Sequence, residues 1–255
     1  MKGFLEEYGL IIVVVAVILL MLLFGKTGYA KSIQNAILGS ANHIVETGEN
    51  ITKKEVHVTP GDTLDIEGTK YVVLEQKENN QGLVMTASSI GKRAFQSKAR
   101  ADKQNMSTYE GSEIDNYLEN DWYNSLSSTM KAAIQTTNIK QASYAIDTDP
   151  DSKQETGYNG QVYNTIDRHV FLPSVSEIGK TVDLKNPDKV KVFLNGEYIW
   201  TRDSYQDDAS IAESLTAYSG TLVYNFVDDT YSARPAFVID LSKVDYKVAG
   251  HTDYK

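Results

Sequence analysis

An unbroken apolar run at residues 10–24 constrains this chain more than any other feature of its sequence. The run is fifteen residues long, somewhat shorter than the roughly 20 residues that usually cross the hydrocarbon core of a bilayer. No later segment is comparably apolar, so a helix of this kind would find no matching partner inside a soluble domain. The run therefore predicts a segment that inserts into a membrane or directs secretion.

Three interpretations of this segment stay open. Gly28-Tyr29-Ala30 has the small-x-small spacing of a signal-peptide cleavage site, but Glu6 and Glu7 stand where a signal peptide carries positive charge. An uncleaved signal anchor would keep both acids at the membrane interface, where they suit the N-terminal end of a helix dipole. A pilin-like helix would pair one of them with a cation, because an unpaired carboxylate is costly in lipid.

Residues 7–11, Glu-Tyr-Gly-Leu-Ile, resemble the signature of the Flp pilins, which are the type IVb pilins of tight-adherence systems. Gly3 followed by Phe4 resembles a prepilin cleavage point with a very short leader. The family places its glutamate fifth after the cut, whereas Glu7 would be fourth. The resemblance implies that Glu7 pairs with the N-terminal amine of a neighbouring subunit, and it assigns processing and assembly to Gly3, Phe4, Glu7 and Tyr8.

Apolar residues recur at three- and four-residue steps over residues 33–45, which predicts that the helix continues as an amphipathic stalk. Gly48 then favours a stop. We therefore divide the chain into an N-terminal membrane or pilin-like helix, residues 1–50, and a globular head, residues 51–255.

The charges beside the apolar run bear on orientation. Lys26 and Lys31 follow the run and Lys2 precedes it, so the positive-inside rule favours an intracellular C-terminal side. Long polar domains are translocated despite a few flanking charges, and the head is rich in Tyr, Asn, Thr and Ser. We expect a single-pass protein of the cell membrane with an extracellular C-terminal head.

The composition of the head excludes several functions. Residues 51–255 hold 22 basic and 30 acidic residues, so their net charge is -8, and an acidic surface repels the phosphate backbone of nucleic acids. The chain has no cysteine. It therefore has no disulfide framework, no thiolate zinc site and no cysteine nucleophile.

Short apolar runs with period-two alternation predict strands in the head. Residues 70–76 and 82–88 are expected to form a hairpin. Ser112 and Ser127 are expected to cap short helices, and residues 143–169 to form a long polar loop. Further strands are predicted at residues 170–172, 197–202, 220–227 and 236–241, with a short helix at 174–178. This order of elements indicates an α+β fold.

Five motifs of the head resemble, in the same order, those of a bacterial domain family of unknown function, family 6273, which is common in surface and secreted proteins of Gram-positive bacteria. They are Tyr-Val-Val-Leu at 71–74, Ile-Asp-Asn-Tyr-Leu-Glu-Asn-Asp-Trp-Tyr at 114–123, Val-Phe-Leu-Pro-Ser at 170–174, Trp-Thr-Arg-Asp at 200–203 and Arg-Pro-Ala at 234–236. The resemblance covers residues 55–245 and implies a C-type-lectin-like fold. It implies structural roles for Trp122, Trp200, Arg202, Arg234 and Pro235.

No motif in the head predicts catalysis. The four histidines lack metal-ligand spacing, and neither a phosphate-binding loop nor a nucleophile elbow is present. The formylglycine-generating enzymes, which share the fold implied above, need cysteines that this chain lacks. Acidic residues at 147–151, 207–208 and 228–229 could hold calcium, but residues 147–151 lack the Gly and Glu of a calcium loop, so solvated acidic loops are favoured. We expect no cofactor.

The leading functional hypothesis is a membrane-anchored bacterial surface protein, a minor or tip pilin whose lectin-like head mediates adhesion. Its partners would be the membrane, identical subunits or other pilins, and an extracellular glycan or protein, but not nucleic acid. The alternative is a monomeric anchored module that binds a glycan or a protein outside any filament. A secreted hydrolase released after Ala30 is a third hypothesis.

Overall fold

The computed structural model describes residues 56–98, 106–144, 161–205, 208 and 210–255. They belong to a compact unit formed by Glu55–Lys255. The predicted helix at residues 1–50, with Gly3, Phe4, Glu7 and Tyr8, lies outside the described residues. In the part of the chain that is described, no helix is both long and apolar enough to cross a bilayer.

A six-stranded antiparallel sheet, sheet A, carries the predicted hairpin. Its strands lie in the order β13-β1-β2-β3-β12-β5, and β2 pairs with β3 as the sequence predicts, with a shift in register after Val73. The strands are β1 (Asp62–Ile66), β2 (Thr69–Gln76), β3 (Gln81–Thr86), β5 (Ile134–Gln135), β12 (Ala236–Asp240) and β13 (Tyr246–His251). The central strands are buried over continuous apolar stretches, so they supply much of the core.

A second sheet, sheet B, has the order β10-β9-β8-β11-β4. Its pairs are antiparallel except for β8 and β11, which run parallel and meet where Ser232 faces Ile199. The strands are β4 (Lys92–Ala94), β8 (Tyr198–Ser204), β9 (Ile211–Thr216), β10 (Thr221–Phe226) and β11 (Thr230–Ser232). The strands predicted at 197–202 and 220–227 are confirmed as β8 and β10.

A two-stranded ribbon joins β6 (Thr137–Tyr144) to β7 (Gln161–Arg168) in eight consecutive pairs. The prediction of a polar loop over residues 143–169 is therefore wrong at β7. Both strands are mostly polar, so their signal is weak, but Ile139 faces Ile166 across the ribbon and both side chains are buried. The strand predicted at residues 170–172 is reduced to one bridge, between Phe171 and Ala236.

The described helices are all short. Ser112 and Ser127 cap α1 and α3 as predicted, each accepting a hydrogen bond from the backbone N–H three residues on. The helical segments are α1 (Glu113–Asn116), a π-helical segment (Tyr117–Trp122), α2 (Tyr123–Ser125), α3 (Ser128–Ala133), α4 (Val175–Thr181), α5 (Pro187–Leu194) and a 3₁₀ turn (Leu241–Lys243). The sequence prediction found α4 but not α5.

The predicted fold class, a long N-terminal helix followed by a C-type-lectin-like α+β head, is wrong. The described residues form thirteen strands in three sheets, and the longest helix among them has eight residues. Strands are the main secondary structure of the described residues. Segments predicted as loop form strands there, because they gain their backbone hydrogen bonds by pairing with strands distant in sequence. Such pairing depends on tertiary context more than on local propensity.

Candidate functional site

Arg202 is the most highly bonded charged residue in the described part of the head. Its side chain is 3% exposed, and its guanidinium holds the carboxylate of Glu177 with two hydrogen bonds of 2.5 and 2.7 Å. It also donates to the carbonyls of Lys140 and Leu172, at 2.8 and 3.0 Å. Burial disfavours the charged guanidinium, but the hydrogen bonds and charge of Glu177 outweigh it, so the pKa of Arg202 is raised.

Glu177 comes to Arg202 through the cap of α4. Ser174 accepts a hydrogen bond from the Glu177 N–H, and the Glu177 carboxylate accepts one from the Ser174 N–H, which forms a capping box. The same carboxylate oxygen that closes the box also accepts from Arg202. One side chain therefore stabilises the start of α4 and ties the helix to β8.

A cleft of about 480 Å³ opens beside this ion pair. Buried apolar side chains form part of its lining: Leu83, Ile139, Phe171 and Val238. Polar side chains complete it, among them Lys77, Thr137, Asn138, Lys140, Ser176, Lys180 and Asp203. The volume lies within the range of small-ligand pockets, which combine apolar surface with a few polar groups that fix orientation.

Asp203 lines the cleft next to Arg202. Its carboxylate accepts a hydrogen bond of 2.6 Å from the N–H of Val175, the first residue of α4. Burial raises the pKa of Asp203, and the charge of Arg202 and the Val175 hydrogen bond offset only part of that rise. Both carboxylates of the cleft, Glu177 and Asp203, are thus engaged in holding α4 in place.

The structure places Trp200 in the core, separate from the cleft. Its indole N–H donates to the carbonyl of Arg93 at 2.9 Å, and its ring meets the edges of Phe95 and Tyr231 at centroid distances of 5.7 and 4.9 Å. Trp200 is fully buried. These contacts are those of a residue that packs in the core.

Arg234 and Pro235 lie between β11 and β12 and are not part of the cleft lining. Arg234 is 1% exposed and donates to the carbonyls of Thr86 and Phe193, at 2.7 and 3.0 Å. Burial lowers its pKa to about 10, although Glu197 and Tyr254 act in the opposite direction. The Pro235 carbonyl accepts from the Thr86 N–H at 3.0 Å. Both residues join strand ends and do not reach the cleft.

Trp122 ends the π-helical segment and packs against Phe237 of sheet A at a centroid distance of 6.2 Å. The same segment presents Glu119, whose carboxylate lies 2.7 Å from Nδ1 of His169 and accepts from the backbone N–H groups of His169 and Val170. The π-helical turn therefore connects the helical region to the end of β7. The five motif residues do not form one site.

Acidic clusters add no metal site within the described residues. Residues 147–151 and Asp207 lie outside them, and Asp228 and Asp229 form the turn after β10. No group of three or more histidine, aspartate or glutamate side chains is placed to hold a metal ion in the ranges that the structure covers.

Sequence reasoning missed Glu177 as the partner of Arg202. The signal was present, since Ser174 and Glu177 have the spacing of a capping box. Nothing local to the sequence shows that the box glutamate also binds an arginine 25 residues later.

The architecture is that of a small β-rich domain whose helix α4 is bound to a central strand by a buried ion pair. A family model for a domain of unknown function, DUF6273, matches residues 79–241. The chain belongs to this family, as its ordered motifs indicated. Searches of the curated proteins and of the solved structures gave no match.

Proposed function

We propose that the head is a binding module, not an enzyme, and that it takes a glycan in the cleft between α4 and the ribbon strand β6. The observation that carries this proposal is the lining, in which hydroxyl, amide and ammonium groups surround a floor of apolar side chains that is nearly closed to solvent. Sugars carry many hydroxyls that both donate to and accept from such polar groups, so they match this lining. The apolar run at residues 10–24 would hold the head outside the cell membrane.

Binding is favoured over catalysis because the charged groups of the cleft already have structural partners. Glu177 holds Arg202 and closes the cap of α4, while Asp203 accepts from the backbone of Val175. A general acid or base must exchange its proton with a substrate. Either carboxylate would have to leave its hydrogen bonds to α4 to do so.

Substituting Ser176→Trp tests the cleft. Ser176 is an exposed residue of α4 at the wall of the cleft, so an indole there should obstruct it without disturbing the core. We expect glycans that bind the native full-length protein on a glycan array to lose at least about tenfold in affinity, or about 1.4 kcal/mol, when measured by titration calorimetry.

The matched control is Val192→Trp. Val192 is 59% exposed on α5 and does not line the cleft, so the variant adds an equal indole elsewhere on the surface. It should bind like the native protein. Equal affinity of Ser176→Trp and Val192→Trp would place the ligand outside the cleft, and no glycan binding at all would remove the glycan proposal.

A second candidate function, assembly into a filament, is favoured by Glu-Tyr-Gly-Leu-Ile at residues 7–11. We propose that the apolar N-terminal segment packs with those of other subunits, and that Glu7 pairs with the amine of a neighbour. The alternative is a monomeric anchor, in which Glu6 and Glu7 both lie at the membrane interface and neither pairs with another subunit.

The variant Glu7→Ala is expected to be absent from sheared surface filaments while its head stays folded, because the amine of the neighbouring subunit would then lie unpaired in the membrane. Immunoblots of the filament and membrane fractions measure this. Glu6→Ala removes the neighbouring charge and should assemble normally. Assembly of both variants would show that Glu7 is not the assembly residue, and absence of the native protein from the filament fraction would favour the monomeric anchor. An intact mass that begins at Lys31 would show a cleaved signal peptide.

A further inference from the structure

Sheet B presents a second surface on the face that holds Glu213, and this surface adjoins the cleft at Asp203. Glu213 on β9 lies directly across from Tyr224 on β10, and directly opposed residues of adjacent strands project from the same face. Asp203 on β8 is close enough to Glu213 to raise its pKa, and the ring of Tyr205 lies against the ring of Tyr224 at a tilt. We call this group the aromatic–acidic face: Asp203, Tyr205, Glu213, Tyr224 and Phe226.

Two of the three aromatic members of this face are open to solvent, and Tyr205 is half-buried. Tyr224 is 51% exposed and Phe226 is 58% exposed, and both project from the same side of β10 because they are two residues apart. The rings of Tyr205 and Tyr224 lie 4.3 Å apart between centroids, tilted by 40°. Exposed rings placed together offer the electron-rich faces that attract cations.

The acidic members lie beside those rings and become negatively charged when they lose their protons. Burial and the neighbouring Asp203 raise the pKa of Glu213 to about 7, and no cation or hydrogen bond among the described residues offsets this rise. The nearest acid, Asp203, has one carboxylate oxygen bound to the N–H of Val175. A positively charged group placed here would relieve the repulsion between the two acids.

We propose that the aromatic–acidic face binds a quaternary alkylammonium group of a small molecule. Such a group makes no N–H hydrogen bonds and is held by aromatic faces and nearby negative charge, which are the two properties this surface combines. A calcium ion fits less well, because it needs six to eight oxygen ligands and the surface is largely aromatic. A neutral sugar can donate hydrogen bonds to the carboxylates, but it brings no positive charge to offset the repulsion between them.

Choline and its uncharged isostere 3,3-dimethyl-1-butanol are the probes, because they differ in charge and hardly in shape. Each is titrated into the full-length protein in a maltoside detergent, and binding is followed by ligand-observed NMR. We expect choline to bind at least about tenfold more tightly than the alcohol. Equal binding of the two probes, or no binding of choline, would overturn the proposal.

Two substitutions locate the site. Glu213→Gln keeps the shape of the side chain and removes its charge, and it should weaken choline binding about five- to tenfold. Tyr224→Leu removes an exposed ring and should weaken it by a similar factor. Asp245→Asn is the matched control, since it removes one exposed negative charge elsewhere on the surface and should leave choline affinity unchanged. If Asp245→Asn lost as much choline affinity as Glu213→Gln, the effect would come from the net charge of the protein, and the proposed site would be refuted.

The pH dependence gives an independent readout. Choline keeps its charge at all pH values, whereas Glu213 loses its proton near pH 7, so affinity should increase from pH 6 to pH 8. Asp203 is the other acid that faces Glu213, and Tyr224 faces it from β10. In Glu213→Gln the increase should vanish, and its persistence would contradict the proposal. The glycan cleft is tested with a different residue, so either proposal can fail alone.

Discussion

Replacing Arg202 with methionine is expected to destabilise the head by about 3–5 kcal/mol, the usual cost of removing one partner from a buried ion pair. Methionine fills a similar volume but leaves Glu177 without its cation. The carbonyls of Lys140 and Leu172 lose their donor as well. Because the pair joins α4 to β8, the loss should reach the whole cooperative unit and not one helix alone.

The free energy of unfolding of the full-length protein, measured by urea denaturation in detergent and followed by circular dichroism, tests this expectation. The matched control is Lys243→Met, which breaks the pair between Lys243 and Asp240, where the lysine is 53% exposed and the charges are 3.5 Å apart. Exposed pairs contribute at most about 1 kcal/mol. The double variant Arg202→Met/Glu177→Met should recover part of the loss, since it leaves no uncompensated charge. Similar losses in the free energy of unfolding for Arg202→Met and Lys243→Met would show that the Arg202–Glu177 pair stabilises the head no more than an exposed pair does.

Local chemistry explains which elements were predictable. The β2–β3 hairpin is encoded by two apolar runs around a polar turn, and the caps at Ser112 and Ser127 by single side chains that bond the backbone three residues later. The helix α5 was predictable in the same way, because Asn186 caps it and Pro187 occupies its first turn.

Tertiary pairing explains what was not predictable. The ribbon strand β7 is polar along most of its length and becomes a strand because β6 supplies eight paired positions. The cleft depends on Arg202 and Glu177, which are distant in sequence and meet only when α4 lies on β8. Because β9 was not predicted as a strand, the sequence did not show which face of a sheet Glu213 occupies.

The second large effect is expected at Trp200, where substitution by alanine should lower the free energy of unfolding by about 3–5 kcal/mol. The indole is fully buried and meets Phe95 and Tyr231, so its removal leaves a cavity between strands of sheet B and the segment that leads to α1. The carbonyl of Arg93 also loses its donor, and an unpaired buried acceptor costs about 1–3 kcal/mol.

Two further variants serve as comparisons. One distinguishes the effect of the Trp200 ring from that of its hydrogen bond, and the other shows the effect of removing a tryptophan elsewhere. Trp200→Phe keeps a ring in the cavity but cannot donate to the carbonyl of Arg93, so its free energy of unfolding should lie between those of the native protein and Trp200→Ala. Trp122→Ala removes the other tryptophan of the chain, which is half-buried, and should cost less because solvent already reaches the site. Each single variant retains one tryptophan, so fluorescence and circular dichroism can follow the same urea transition from two positions. Equal losses in the free energy of unfolding for Trp122→Ala and Trp200→Ala would contradict this expectation. They would show that the contacts of Trp200 with Arg93, Phe95 and Tyr231 add no more stability than the half-buried contacts of Trp122 on sheet A.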